Sequence, residues 1–444
     1  MNVSIVVPAY NAAETIQETL ASIQAQTVPN WEAIVVNDGS TDETEAIVQE
    51  IAAQDSRIRL FSQSNQGVSA ARNTAISHVR YDWLGFLDAD DWLAPQYVER
   101  MTAALAADPS LDAVHCGIRR LEPDGQTIFD DRYAPSETDL FPVFAVHCPF
   151  MLHSCIFRKR LAEEIGGFDT SFRNAADWDF WQRLARTGTR FGAVKEVLGF
   201  YRIQANSLSR GANTKNLFAA GRRVMLQGHA PDPRVPNPHP DHAAGEPPEG
   251  IVKCKYRGVG WGGGWMLGRG EDPKYVIELL GNDRDPNLDP KRVATHIFWG
   301  VARSSSQNLA AWKTIWPQFE EKVWDFLQAL EVQSQAPDLA RNSQIILERL
   351  ILQSSPLTQP LTIGNTHGVP LEMTEPLLDV DLPSEAKRLY GFVTLEGTEL
   401  GWLELPVQDG RVSSGVIKEA IASQFSYDCE LDISRKEGIR NRGK

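Results

Sequence analysis

An α/β fold on a doubly wound, mostly parallel sheet, followed by a helical region and a small α+β domain, is what this 444-residue chain predicts. Three observations carry it. From Val3 to about Asp90, short β-rich apolar runs alternate with helix-length stretches, a series that calls for parallel strands and right-handed crossovers. Polar residues Asn11, Asp38 and Asp88 fall where those runs end, the place where such sheets bind ligands. Composition then changes at His229, where prolines crowd, and again after Pro356.

The elements follow in order. Val3 to Val7 reads as a buried strand ended by Pro8, after which Asn11 caps a helix and Glu14 completes a capping box. Trp31 to Val36 is the second strand; Asp42 and Glu45 open the next capped helix. Ile58 to Phe61 is the third strand, and Asn65-Gln66-Gly67 turns into a helix carrying Arg72 and Asn73. Trp83 to Leu87 is the fourth, running into Asp88-Ala89-Asp90, with Asp91 placed to begin the following helix. Asp112 to about Thr127 reads as a hairpin around Pro123-Asp124-Gly125. Helices are expected over Lys159–Ile165 and from Asp177 to Gly188, then a strand from Val194 to Tyr201.

This first domain is expected over residues 1–228. Residues 229–255, dense in proline, read as a mobile linker or long surface loop. Residues 256–350 are expected to be mainly helical, with the glycine run Gly258–Gly270 a flexible loop and Trp316–Leu327 a helix whose aromatic stripe is core. Residues 351–444 form the small α+β domain: a hairpin from Arg388 to Val407 about Gly397-Thr398-Glu399, an amphipathic helix around Val416–Ile421, and a frayed basic tail.

Composition excludes several classes. A net charge of −14 and a pI near 5.2 argue against nucleic-acid binding, because no broad basic face offsets phosphate repulsion. No apolar run approaches the ~20 residues a membrane-spanning helix needs, though peripheral association stays open. The N-terminus lacks a basic stretch and cleavage site, so no signal peptide is expected. Five cysteines without a CxxC pair indicate neither a zinc knuckle nor a disulfide framework, and a reduced, cytoplasmic setting is the expectation. His229, His239 and His242 lie in the proline-rich stretch, where a metal site would need an ordered loop.

Six ordered motifs make the chain resemble family 2 glycosyltransferases, inverting enzymes of the GT-A fold, over about residues 1–228. They are Val6-Val7-Pro8-Ala9-Tyr10-Asn11, Val36-Asn37-Asp38-Gly39-Ser40-Thr41-Asp42, Asn65 through Asn73, Phe86-Leu87-Asp88-Ala89-Asp90-Asp91, Gly166-Gly167-Phe168-Asp169 and Asp177-Trp178-Asp179-Phe180-Trp181. The resemblance implies a nucleotide-sugar donor, UDP-linked, and a hydroxyl of a glycan or glycoconjugate as acceptor. Pro8, Tyr10, Asn11, Asp38, Arg72 and Asp88 would bind the nucleotide. Asp90, with Asp88, would hold Mn2+ or Mg2+, which would neutralise the leaving diphosphate. Asp177 would be the general base.

Each assignment has a structural counterpart. Asp38 is suited to accept from a uracil imide N–H, or to shape the turn before Asp42. Arg72 suits phosphate oxygens or is a solvated helix charge. Asp177 stands where the helix macrodipole favours an acid in any case, and Asp179 competes for its role. Two positions depart from the family pattern: Ala176 replaces an acid, and Gln204 stands where relatives carry a histidine, which favours Mg2+ slightly. A non-catalytic nucleotide-sugar-binding or scaffold protein is the alternative reading; a sugar-nucleotide nucleotidyltransferase lacks support, because the first loop has no glycine- and arginine-rich cradle.

Overall fold

The computed structural model describes residues 1–121, 126, 128–203, 214–305 and 312–425, and the chain divides into two units, Met1–Cys254 and Lys255–Lys444. The turn Pro123-Asp124-Gly125, Gln204 and the basic tail lie outside the described residues.

In the first unit, β1 (Val3–Ala9), β2 (Trp31–Asn37), β3 (Ile58–Ser62) and β4 (Trp83–Phe86) run parallel in the order β3-β2-β1-β4. The sheet continues through β5 (Trp92–Leu93), β6 (Ala113–Leu121), β7 (Ile128–Arg132), β8 (Cys155–Arg158) and β9 (Phe191–Arg202), in the order β8-β6-β9-β5 with β7 on β6. Here β8 is antiparallel to β4 and β6, whereas β9 is parallel to β6. Every residue of β1 and β2 is buried, as strands covered on both faces require.

The covering helices are α1 (Ile16–Gln24), α2 (Thr44–Gln54), α3 (Val68–His78), α4 (Tyr97–Ala107), α5 (Phe141–Phe144), α6 (Lys159–Glu164) and α7 (Ala176–Arg186). Along β1, Val3, Ile5 and Val7 face one core with Leu20 of α1, Val48 of α2 and Met101 of α4. Val6 faces the other, with Ala71 of α3, Leu161 of α6 and Phe180 of α7. This is the alternation of a strand read from both sides.

Several local expectations are corrected. Pro8 lies inside β1, opposite Val36, and the strand continues to Ala9. The β1–β4 ladder ends at Val6 opposite Phe86, with Leu87 N donating to Val6 O; Pro8 follows on that side, beyond the last bond needing a donor. The capping box does not form: α1 opens at Ile16, and Asn11 adopts a left-handed φ of 46° that asparagine tolerates. Asn11 Oδ1 accepts from Thr41 N at 2.8 Å, so it ties the first loop to the second. Glu45 turns from the α2 terminus to Asn37 and Ser62 (2.8 and 2.9 Å), while Asp42 Oδ1 accepts from Thr44 N at 3.1 Å. The second arm of the hairpin lies beyond Thr127, at Ile128–Arg132.

The proline-rich segment is held, not loose. His239 N donates to Arg186 O and Arg186 Nη1 to His242 O, both at 2.8 Å, and the His242 ring stacks on Phe141 at 4.6 Å. Prolines limit the conformations this stretch can take, and the buried Arg186 supplies the polar contacts that pin it. Residues up to Cys254 therefore belong to the first unit.

In the second unit, the glycine run expected as a flexible loop is helical within Glu249–Gly268. A Cβ on Gly264 would stand 2.7 Å from Ile297 Cα, and one on Gly300 2.7 Å from Trp265 N. The helices Glu249–Gly268 and Pro290–Ser304 thus meet backbone to backbone, which only glycine permits. Trp316–Gln318 is a 3-10 turn before the helix Glu320–Ser334, and Trp316, Val323, Phe326 and Leu327 are buried. Further on, β10 (Leu361–Ile363), β11 (Thr366–Glu372), β12 (Val380–Asp381), β13 (Arg388–Leu395), β14 (Thr398–Leu405) and β15 (Arg411–Val412) form a sheet β10-β11-β13-β14 and a pair β12-β15. The β13–β14 turn is Glu396-Gly397, one residue earlier than expected, with φ of 51° and 75°, the pattern of a tight hairpin turn. The helix at 414–425 sends Ile417, Ile421 and Phe425 into the core with Leu389, Val393 and Leu403. No described helix is long and apolar enough to cross a membrane.

Candidate active site

Asp88 stands two residues past the end of β4. Asp91 N donates to Asp88 O at 3.1 Å, closing a turn, and threonines of the first helical region hold its far side: Thr15 Oγ1 donates to Ala89 O at 2.8 Å and Thr19 Oγ1 to Asp91 O at 2.8 Å. The acidic turn is therefore fixed by backbone bonds, leaving the Asp88 and Asp90 carboxylates for other partners. Asp88 Oδ1 accepts from Arg72 Nη2 at 2.6 Å. Arg72 is only 5% exposed and lies 5.2 Å over the Phe168 ring, so it is no solvated helix charge. Asn73 beside it exchanges two hydrogen bonds with the Phe168 backbone, 2.8 and 2.7 Å, and fixes the loop. A Cβ on Gly167, at a φ of 71°, would strike that Asn73 amide at 2.4 Å.

Burial lifts the Asp90 carboxyl to about 6, and the Asp88 charge pushes the same way. Asp91 does not begin a helix. It is 1% exposed, accepts from Arg202 N at 2.9 Å, and leads into β5. Its Oδ2 lies 3.2 Å from Nδ1 of the equally buried His153. Burial drives Asp91 up and His153 down, so both favour neutrality.

Asp177 occupies the first turn of α7 and accepts from Trp178 N through Oδ1 at 2.8 Å. Burial raises its carboxyl above the ordinary range; Arg72 pulls it down and Asp88 pushes it up, which brings Asp177 into the electrostatic neighbourhood of the acidic turn. It lines a cavity of about 170 Å³ with Ile118, Arg132, Cys148, Phe150 and Met151. A cavity of about 300 Å³ between His115, Tyr133 and Lys195 includes none of the expected site residues. Asp179 is no rival: it is 0% exposed and pairs with Arg183 Nη2 at 2.8 Å and Arg234 Nη1 at 2.9 Å.

At the β2 tip, Asp38 is 3% exposed and accepts from Gln63 Nε2 (2.7 Å), Gln66 N (2.9 Å) and Gly67 N (2.8 Å). It shapes a different loop from the one expected, the turn into α3, and one lone pair on Oδ2 stays uncommitted by this count. Gly39, at a φ of 74°, keeps a Cβ from meeting Asn65 N at 2.8 Å. Pro8 is a strand residue, Asn11 a loop tie, and Tyr10 is 51% exposed at the mouth. The sheet order places the β2 and β4 tips on either side of β1. The structure thus gathers Arg72, Asp88, Asp90 and Asp177 at one end, with Asp38, Tyr10 and Asn11 on the adjoining loops.

Sequence reading missed His153, Arg132 and the threonines under the turn. No local pattern marks His153 or Arg132; Thr15, just before α1, and Thr19 within it stand at i and i+4 spacing, a usable sign. No described group of three or more His, Cys, Asp or Glu residues is arranged to hold a metal ion. Asp88 and Asp90, the expected metal pair, share the turn; burial and then the Asp88 charge raise Asp90, and oxygen donors of this kind suit a hard cation.

Residues 4–166 match the glycosyl transferase family 2 model. The N-terminal segment is a family 2 glycosyltransferase domain. Its mixed sheet, with the parallel half leading, is GT-A-like. Chondroitin synthase of Pasteurella multocida is 34% identical over 188 residues, 42% of this chain and 19% of that protein. The uncharacterized glycosyltransferase EpsJ of Bacillus subtilis is 33% identical over 221 residues, 47% of this chain and 62% of that protein. This chain thus spans about a fifth of the synthase and under two thirds of EpsJ. Among solved structures, S. aureus TarS 1–349 with UDP-GlcNAc shows 16% identity and a TM-score of 0.43, covering 85% of this chain and 98% of that one. The mannosyltransferase PcManGT of Pyrobaculum calidifontis, with GDP-Man and Mn2+, shows 21% identity and a TM-score of 0.45, covering 75% and 87%.

Proposed function

We propose that this family 2 domain transfers a sugar from a nucleotide-sugar donor, UDP-linked, to a hydroxyl of a glycan or glycoconjugate, with inversion at the anomeric carbon. The observation that carries the reading is the Arg72–Asp88 pair beside Asp90, with Asp177 on the wall of the adjoining cavity. The relatives' names, chondroitin synthase and hyaluronan synthase among them, support polysaccharide assembly as the setting.

Asp88 and Asp90 would hold Mg2+ or Mn2+, which when bound supplies Lewis-acid stabilisation of the departing diphosphate. Arg72 fixes the Asp88 carboxylate by a charge-assisted bond and leaves its buried Nε without a partner. Tyr10 offers an exposed ring for a nucleobase, and Asp38 the remaining acceptor for its donor edge. Asp177 Oδ2, free of the Trp178 bond, takes the proton of the acceptor hydroxyl as it attacks. Its raised pKa keeps it a better base than an ordinary surface aspartate. Ala176 adds no second acid there, so Asp177 works with Arg72 and Asp88 as its charged neighbours.

The test is metal-dependent release of nucleoside diphosphate from a panel of UDP- and GDP-sugars by the full chain. Release with UDP-sugars, abolished by chelation and by Asp90→Asn, is expected. Nucleotide-sugar binding without release from any donor would instead favour a scaffold role.

A further inference from the structure

We infer that the acceptor carries an oxyanion, a carboxylate or a phosphate, which Arg132 binds in the cavity that Asp177 also lines. The inference rests on the transferase reading above and names the class of acceptor.

Arg132 ends β7 directly opposite Ile118 of β6, and both line the Asp177 cavity. On the same strand, Asp130 is the only acid that reaches it, and Arg120 already claims that acid: its Nε and Nη2 meet the two Asp130 oxygens at 2.5 Å each. Arg132 is left with a single contact, Nε to Asp130 Oδ2 at 3.4 Å. Among the described residues its two terminal nitrogens have no partner. The neighbouring Arg119 is committed elsewhere, bidentate to Asp131 at 2.7 and 2.8 Å.

The Arg132 side chain is nonetheless only 35% exposed, and burial, with Arg120 beside it, pushes its pKa below the usual arginine value. A half-buried guanidinium whose one carboxylate contact is long and made through Nε keeps its two terminal nitrogens for a ligand. Its planar fork matches the two oxygens of a carboxylate or phosphate. The same cavity supplies the second condition. Asp177, which accepts the hydroxyl proton, would repel an anion placed near it, so an anionic acceptor needs a counter-charge there, and Arg132 lines the cavity. Phe150 and Met151 complete the wall with apolar surface suited to the C–H face of a sugar ring. The space of about 170 Å³ is small beside a polymer chain, so it takes the part of the acceptor next to Asp177. The charge read by Arg132 therefore belongs to the residue that accepts the new linkage, or to the link just before it.

Binding of simple probes to the full chain, in the presence of UDP and Mn2+, tests this by calorimetry. The probes are methyl glucoside, methyl glucuronoside, methyl galacturonoside and glucose 6-phosphate. At least one anionic probe should bind about 10-fold or more tightly than methyl glucoside, with a Kd that rises with salt. Uronosides ahead of the phosphate identify a carboxylate acceptor, and the reverse order a phosphate. Arg132→Gln should erase the preference and Arg132→Lys should keep part of it. If none of the anions outbinds methyl glucoside, or if Arg132→Gln leaves the preference intact, the inference is overturned. The wild-type comparison decides the matter even if a variant fails to fold. Nucleoside diphosphate release from the donor panel is read separately: if it persists while the probes show no preference, only the acceptor assignment falls.

Discussion

Two acids two residues apart in α7, Asp177 and Asp179, should fail in opposite ways when replaced. Asp179 is 0% exposed and holds two guanidinium groups, Arg183 at 2.8 Å and Arg234 at 2.9 Å. Arg183 is itself 2% exposed, with Ile165 O as its other partner at 2.7 Å. Asp179→Ala strands a buried charge, a change that costs about 3–5 kcal/mol. For a unit of this size each kcal/mol lowers Tm by about 2–4 °C, so the expected drop is roughly 6–20 °C. Turnover measured well below that transition should stay within about 3-fold of the parent. Asp177 keeps one backbone bond, to Trp178 N, and faces a cavity, so Asp177→Asn should shift Tm by less than about 3 °C. Its turnover should fall about 100- to 10,000-fold, the range a positioned base supplies. Thermal unfolding by circular dichroism and nucleoside diphosphate release by coupled assay read the two quantities independently. A stable Asp179→Ala variant with lost turnover, or an Asp177→Asn variant with near-full turnover, would refute the division of roles.

Arg72→Lys should lower kcat/KM about 10-fold or more and weaken Mn2+ dependence, because an ammonium cannot reproduce the 2.6 Å Nη2 bond to Asp88 from the same buried stem; a metal titration of initial rates checks it. The acid limb of the kcat/KM profile should lie above pH 3.8, since burial raises Asp177 and the base acts only when ionised; full activity persisting to pH 4 would contradict this. Glu372 is held down to about 2 by the N–H groups of Thr374 and Gly397, so its contribution to the second unit is present above about pH 4.5 and is lost as pH falls toward 2; Glu372→Gln should flatten the dependence of Tm on pH across that window. Gly300→Leu should destabilise the second unit by about 1–3 kcal/mol or more, because even a Cβ there meets Trp265 N at 2.7 Å; denaturant melts of the second-unit transition measure it.

Most of the parallel half of the sheet was legible because β1, β2 and β4 are buried on both faces and so read as nearly continuous apolar runs, whereas the edge strand β3 is only partly buried. Helix starts were less so. Asn11 and Glu14 have the right spacing for a capping box, yet the loop they occupy is claimed by Thr41 and Ser40 from the next crossover. Local propensity cannot report a partner some thirty positions away. The glycine run failed for a related reason. In isolation Gly258–Gly270 disfavours a helix by about 1 kcal/mol per glycine relative to alanine. What makes it helical is the second helix it touches through Gly264 and Gly300, and that contact exists only in three dimensions.

The candidate site divides along the same line. Asp38, Asp88, Asp90 and Asp177, singled out by the family motifs, each lie near a strand end or a helix start, where sequence and topology agree. Their partners were not. Asp91 shows why the distinction has chemical weight. In sequence it is one more acid in an acidic triplet, and a helix start is the economical reading. In the fold it is sealed against His153 and the Arg202 backbone, and burial pushes its carboxyl well up, away from the charged form. Three adjacent ionised carboxylates would repel one another strongly in so enclosed a place. Burying the third leaves Asp90 and Asp88, the latter already paired with Arg72 at 2.6 Å, so the turn geometry rather than the count of acids sets the charge presented.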